Sequence, residues 1–428
     1  MRVGDWKERV GRLKGKECWR LLYRFLPMVI VLLAAVRTMC DVWQLTSEGA
    51  WWPGWPTYNY YIGYETGFGG RKLLGTLVDW LAPEYVEYNF VRLLTRVANV
   101  LMVLFATLIG VKAVARRENA WPMLLMLAAY MLSPFSLGRY VDSTLSGGFM
   151  ETWQIMLTLM WLLIYVRWRG KAGCYVVTGV VMVLCCLIHH TFCCTLLPLY
   201  GVLFLLDTFR DGRLCKPKAV AYGSILGVLG VLFLFLWMCS RMNVDIDTLY
   251  ARIENRVEPS ANPSDKWGLY LLYYATNSEN VASNAGLFPQ RYVELLFSVV
   301  MLLPLVALFW APWLRAARAA TDKNVKRLYR SVCPLHALMT LPIFIFATDY
   351  SRWWVCYFLT LTLLLVAAHL LGVKDVVEQT RSLFRKPVWV VFVVLVVVYL
   401  QFLHNEQWHG LREAIGLREG LGILPTID

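Results

Sequence analysis

Stretches of roughly 18 or more apolar residues recur along the chain, separated by short clusters of lysine and arginine. A helix of that length matches the ~30 Å hydrocarbon core of a bilayer. With 58% of residues hydrophobic and 17% charged, the sequence predicts an all-α polytopic membrane protein. The formal charge of +13 is spread through short inter-span segments rather than gathered on one soluble domain, so it marks topology and not a nucleic-acid partner.

Residues 1–24 carry eight Lys/Arg, too polar for the start of a cleavable signal peptide, and read as a basic cytoplasmic tail. A single transmembrane domain, 25–403, follows, with long outer loops at 46–90 and 240–290, and residues 404–428 form an outer C-terminal tail. Spans are expected at about 25–45, 91–114, 121–138 and from Glu151 back to Arg167. The apolar run from Cys174 to Asp207 would reach about 50 Å as one helix, so it must fold back near His189-His190 as two spans. Further spans lie at about 219–239, up to Trp313, at 331–347, after Thr348, and in a valine-rich segment ending at His404. Between the later spans, Arg315–Arg330 and Lys374–Lys386 read as basic inner loops, and an amphipathic piece is expected at Trp267–Tyr274 in the second outer loop. In this drawing the inner segments hold 28 of the 42 Lys/Arg but nine of the 29 Asp/Glu. Such an imbalance predicts about 11 transmembrane helices with the N-terminus inside and the C-terminus outside. No internal repeat of the kind common in secondary transporters is visible.

Most of the eleven cysteines fall in spans or inner segments, where they act as small apolar side chains, and no disulfide framework is expected. Cys185-Cys186, His189-His190 and Cys193-Cys194 recur at four-residue intervals, a spacing that shares a helix face. The fold-back interrupts that face, so neither a metal site nor a cofactor is expected.

The stretch from Tyr58 to Trp80 carries the strongest chemical signal. Gly67, Gly69 and Gly70 precede Arg71 and Lys72, which open a short apolar segment. Glycines before a helix start allow close backbone approach, and free amides beside two cations suit an anion such as phosphate. The plainer alternative is an interfacial helix whose cations touch lipid headgroups. Costly ionisable residues also gather at outer span ends: Arg37, Asp41, Arg92, Arg96, Arg139, Asp142, Glu151, Asp349 and Arg352. Ion pairs serving only packing have no reason to collect on one leaflet, and such groups ordinarily face a polar cavity or a partner. An outer pocket of arginines with carboxylates, histidines and tyrosines suits a lipid-linked pyrophosphate bearing a sugar. Arginines would neutralise the leaving diphosphate, and a carboxylate or histidine would take the proton of the attacking hydroxyl. The candidate catalytic residues are Glu65, His189, His190 and Asp349. The candidate substrate-binding residues are Gly69, Gly70, Arg71, Lys72, Arg96, Arg139, Asp142 and Arg352.

Four outer pieces, Tyr64–Gly75, Gly138–Asp142, Ile188–Pro198 and Asp349–Trp353, resemble the pattern of bacterial polysaccharide polymerases of the O-antigen and exopolysaccharide type. The resemblance covers about 50 residues, and the loop 240–290 departs from it in holding only three arginines and one lysine. It implies polymerisation of undecaprenyl-diphosphate-linked oligosaccharide units at the outer face of the inner (cytoplasmic) membrane. The expected partners are a polyprenyl-linked glycan substrate, membrane lipid and other members of a polysaccharide assembly pathway. Two other readings stay open: a C-type glycosyltransferase with a polyprenyl-phosphate sugar donor, where Glu65 or Asp41 is the base, and a flippase or transporter of lipid-linked glycan.

Overall fold

Long apolar runs of the sequence become helices in the computed structural model, which describes residues 15–46, 55–115, 119–138, 149–209, 212–260, 266–274, 290–346 and 350–404. In order they are α1 (Gly15–Leu45), α2 (Leu73–Leu81), α3 (Tyr88–Val114), α4 (Ala120–Met131), α5 (Met150–Trp168), α6 (Ala172–Ile188), the single turn α7 (Phe192–Thr195) and α8 (Leu197–Thr208). They continue as α9 (Lys216–Met238), α10 (Ile246–Arg256), α11 (Lys266–Tyr273), α12 (Gln290–Ala319), α13 (Lys323–Phe346), α14 (Tyr350–Leu371), α15 (Lys374–Phe384) and α16 (Pro387–His404). Among the described residues there is no strand, and one isolated bridge joins Val86 to Val257. Among the described residues six helices contain segments long and apolar enough to cross a bilayer: Phe25–Leu45, Tyr88–Val114, Lys216–Met238, Leu295–Ala319, Lys323–Ile345 and Arg352–Leu371. The pair α15 and α16, bent by 85°, makes a seventh if read as one broken span. The chain is a multi-pass membrane protein.

The run from Cys174 to Asp207 does fold back. Helix α6 ends at Ile188, His189 is extended, and α8 begins at Leu197. Trp161 of α5 donates its Nε1–H to Thr178 of α6 at 2.9 Å and stacks on Tyr200 of α8 at 3.9 Å. Tyr222 of α9 likewise faces Tyr175 at 5.2 Å and Phe204 at 4.1 Å, one from each limb. A metal-binding face through Cys185, His189 and Cys193 is therefore broken at its middle.

Contacts between connections sort the helix ends into two groups. At one end Phe68 meets Phe235, the backbone of Asn243 donates to Thr66, and Trp153 donates to Tyr60. At the other, Lys218 and Arg169 meet Asp207, Asn324 donates to the carbonyl of Gly212, and Arg315 donates to Ser382. The second group belongs to the Lys/Arg-rich segments.

Three expected boundaries move. The segment after Met131 leaves the helix at Ser133-Pro134, because a residue before proline is pushed out of the α region. The stretch Arg315–Arg330 is almost wholly helical, with a break at 320–322 where Asp322 accepts from the amides of Asn324 and Val325 and so caps α13. Lys374–Lys386 is largely the amphipathic helix α15, which buries Val376, Thr380 and Leu383 and is gripped by Arg315 through Gln379 and Ser382.

Helix α14 is enclosed on nearly all sides and touches α3, α4, α5, α8, α12, α13 and α15. Above this core, at the end holding Phe68 and Phe235, a smaller apolar cluster gathers Tyr58, Tyr60, Ile62, Leu74, Leu249 and Ile253, so the segment between α1 and α3 and helix α10 form one cap. The exposed side of α2, with Leu77, Leu81 and a 79% exposed Trp80, is suited to the lipid interface.

Buried charge at the basic end makes a direct test of this packing. The Asp207 side chain is 1% exposed and holds Lys218 Nζ at 2.7 Å, Arg169 Nε at 3.4 Å and the Tyr222 hydroxyl at 2.8 Å. Removing one partner of a buried ion pair costs on the order of 3–5 kcal/mol, and here it also unties α8 from α9 and from Arg169 at the end of α5. Asp207→Ala should lower the melting temperature of detergent-solubilised protein by several degrees, and Lys218→Met should lower it less. An unchanged melting temperature for Asp207→Ala would contradict the placement of this carboxylate.

Candidate functional site

The glycine turn is fixed by protein rather than left open. Gly67 has φ +130°, and the carbonyl of Arg241 lies where its side chain would be. Arg241 N donates to Phe68 O at 2.7 Å and Asn243 N to Thr66 O at 2.8 Å, stitching the turn to the segment after α9. A Cβ on Gly69 would strike Ser240, and one on Gly70 would stand 2.7 Å from His190 Nδ1. The close approach expected of these glycines is thus made to Ser240 and His190.

Arg71 follows in the left-handed region, φ 69°, the only non-glycine residue found there among those described. A backbone held this way costs of order 1–3 kcal/mol and persists where its surroundings over-determine it. Its Nε donates to His189 Nε2 at 3.0 Å, across 118 residues of sequence. The guanidinium is enclosed by protein, although the residue as a whole is only half-buried. Glu151, Arg352 and Tyr273 lie within its electrostatic reach.

His189 is presented by the end of α6. Gln154 of α5 donates from Nε2 to the carbonyls of both Cys185 and His189, at 2.7 and 2.6 Å, which pins the backbone where the helix stops. The amide of Thr191 also approaches His189 Nδ1, at 3.2 Å. A neutral imidazole has one acceptor nitrogen. Because Arg71 Nε is an obligate donor at the shorter distance, Nε2 is that acceptor, Nδ1 carries the hydrogen, and the Thr191 approach is packing. Protonating His189 would remove the acceptor and set two cations face to face. His190, partly exposed, lies with its ring 5.0 Å from that of His189.

Glu151 and Arg352 bring the first turns of α5 and α14 to the same place. Arg352 Nη1 is 3.7 Å from Glu151 Oε1, the carboxylate is 1% exposed, and the guanidinium stacks over Phe149 at 4.5 Å and Trp353 at 4.8 Å. The interaction is a long ion pair without a hydrogen bond. Among the described residues Glu151 Oε1, Gln154 Oε1, Tyr64 Oη and Thr191 Oγ1 are buried with no hydrogen-bond partner. Buried polar atoms are nearly always satisfied, so four orphans carried by the site's own helix ends and turns invite a polar ligand or ordered water.

Lys72 points inward as well. Its Nζ is 3.0 Å from Met242 Sδ and its side chain is covered. Burial pulls its pKa down to about 8, against the opposing pull of Glu65. Both cations of the turn are directed into protein, Arg71 onto His189 and Lys72 onto Met242, while the exposed apolar side of α2 suits the lipid interface.

The other expected residues divide. Glu65 is exposed, accepts from the amide of Gly63 at 3.1 Å and pairs with Arg252 at 3.5 Å, which ties the turn to α10. Arg96 donates to the side chain and carbonyl of Thr46 and stacks over Trp43 at 4.3 Å, closing the end of α1. Arg139, Asp142 and Asp349 lie outside the described residues. Gly69, Gly70, Arg71, Lys72, His189, His190 and Arg352 come together. Glu151 was visible in the sequence as a costly residue without a role, and Gln154 was not singled out. Their three-residue spacing at the start of an apolar helix, which puts both on one face, was the available signal. No family model, curated protein or solved structure matches the chain.

The buried ammonium gives a pH signature. An unfolded lysine titrates near 10.4, whereas Lys72 in the fold titrates at about 8. Between those values the unfolded chain binds more protons, so stability rises with pH across that window, and the penalty is fully present below about pH 8. Lys72→Met should flatten this rise in melting temperature from about pH 8 to 10.4. A slope equal to that of the unaltered protein would contradict burial of the charge.

Proposed function

We propose that this protein is a glycosyl-transfer enzyme of the cytoplasmic membrane that polymerises polyprenyl-diphosphate-linked oligosaccharide units at its outer face. In this reading about eleven helices cross, the basic helix ends lie inside, and the Arg71 site lies outside, as the distribution of Lys/Arg favours. One observation carries the reading: Arg71, enclosed at the membrane's edge, spends its hydrogen bond on an imidazole rather than a carboxylate. Among the described residues no carboxylate pairs with Arg71, and Arg352 is near enough for its charge to be felt there, so in this reading the two arginines share one anion.

The chemistry assigns each group one task. Arg71 and Arg352 bind the diphosphate of the donor, and Lys72 adds to the positive potential beside them. An acceptor sugar hydroxyl attacks the anomeric carbon of the donor, and the bond from that carbon to the diphosphate oxygen breaks. Negative charge grows on the departing lipid diphosphate, where fixed guanidinium groups stabilise it most. The hydroxyl proton passes to His190, a half-buried residue whose ring borders Gly70. His189 is committed to Arg71 and acts as a positioning residue, as does Gln154 behind it. Glu151 steers Arg352 without neutralising it at hydrogen-bond range. The C-type alternative loses support here, since Glu65 is held by Gly63 and Arg252 while Asp41 pairs with Arg37 at 3.2 Å.

The test is made in the native host, with the gene deleted and variants restored. Arg71→Gln and Arg352→Gln should each cut glycan polymerisation about tenfold or more, consistent with a lost charge-assisted contact, while single lipid-linked repeats accumulate outside. Arg71→Lys should be nearly as impaired, because an ammonium is a point charge and not a planar fork. Repeats retained inside would identify a flippase instead, and normal chain lengths in all three variants would contradict the assignment.

A further inference from the structure

We propose that the lipid-borne substrate enters the Arg71 site sideways from the outer leaflet, along the outer half of α9, with its isoprenoid chain lying on Phe233 and Trp237, which are four residues apart and share one face of that helix. This rests on reading the Arg71 site as a place for a lipid-linked phosphate, and it adds where the lipid lies and which helix admits it.

His190 is the joint between the two surfaces. On one side it abuts Gly70, the neighbour of Arg71, and its ring is 5.0 Å from that of His189. On the other its ring is 6.5 Å from Phe233 and 6.4 Å, edge-on, from Trp237. Phe235 packs on Phe68 of the glycine turn at 4.9 Å, and Phe68 stacks on Tyr64 at 6.0 Å. Trp237 is exposed on a helix long and apolar enough to cross a membrane, so the surface it presents beside Phe233 is a hydrocarbon-facing one. Gly70, Arg71 and His190 all keep partial surface. A cation site at the depth of the last turn of a span therefore joins a lipid-facing aromatic wall with one side chain between them. Arg241 is exposed three residues past the end of α9 and adds positive charge at this lip.

An amphiphile with an anionic head and a long apolar tail matches that arrangement. Its tail stays in hydrocarbon while its head leaves water for the guanidinium. A soluble nucleotide-sugar or free phosphate has no use for the wall. A phospholipid offers the same head chemistry, and the experiment separates it from an isoprenoid carrier.

The full-length protein in nanodiscs is given a photo-crosslinking phenylalanine derivative at Trp237, or as a control at Val220, exposed near the opposite end of the same helix. The probe is radiolabelled undecaprenyl diphosphate. Labelling at position 237 should exceed that at position 220 by about fivefold, fall about fivefold with Arg71→Gln, and survive excess phosphatidylglycerol. Equal labelling at both positions, labelling indifferent to Arg71→Gln, or displacement by phosphatidylglycerol would each overturn the proposal. Because each crosslinker variant is also assayed for melting temperature and glycan chain length, the two readings fail separately. Arg71-dependent labelling in a protein that lengthens no glycan keeps side entry and removes the polymerase. Normal polymerisation with equal labelling at the two positions does the reverse.

Discussion

A guanidinium taken out of water demands compensation, and the way Arg71 is compensated organises one end of this molecule. An imidazole accepts its Nε–H while contributing no negative charge. To hold that pairing the chain accepts a left-handed backbone at Arg71, stops α6 at Ile188 and turns Gln154 onto the backbone carbonyl of His189. Each of these departs from what the local sequence would do alone. Among the described residues no carboxylate pairs with Arg71 at hydrogen-bond range, and a fixed positive charge so placed meets the electrostatic condition for holding an anion before reaction.

The membrane supplies the rest of the order. Apolar helices can be packed around an enclosed α14 because backbone polar groups are satisfied within each helix. Ionisable groups are consequently driven to the helix ends, and the two ends use them differently. At the basic end Asp207 sits between Lys218 and Arg169 and meets the Tyr222 hydroxyl, so its charge is answered at close range. At the other end Glu151 and Arg352 stand 3.7 Å apart, and four buried polar atoms on the surrounding elements lack hydrogen-bond partners among the described residues. The first arrangement is a structural lock; the second, among the described residues, keeps buried polar atoms that a polar ligand or ordered water would satisfy.

Much of the architecture was legible from length and hydropathy. The fold-back at His189-His190 followed from a run too long for one crossing, and the contacts of Trp161 and Tyr222 with both limbs bear it out. Arg71 was singled out by the glycine turn before it, His189 by the fold-back and Arg352 by the cost of an ionisable group at a span end; in the fold Arg71 bonds to His189 and feels the charge of Arg352. Other features were hidden for physical reasons. Helix α15 reads as a basic loop because its charges interrupt the apolar period, although Val376, Thr380 and Leu383 keep to one face. The glycines of the turn signal close approach without saying to what, and the partners, Ser240 and His190, come from distant sequence. Arg96 and Glu65 carry the same residue types as the site, yet Thr46 and Arg252 engage them. No local pattern distinguishes a charge that will be answered from one that will not.

The account therefore turns on whether Arg71 and Arg352 hold one anion jointly. A double-mutant cycle on equilibrium binding of undecaprenyl diphosphate to the purified protein measures this, using Arg71→Gln, Arg352→Gln and the pair. Joint binding predicts that each single change weakens affinity about tenfold and that the pair loses less than the sum, with a coupling of roughly 1 kcal/mol or more. Strictly additive losses, or affinities unmoved by either change, would show two arginines with separate duties and contradict a shared site.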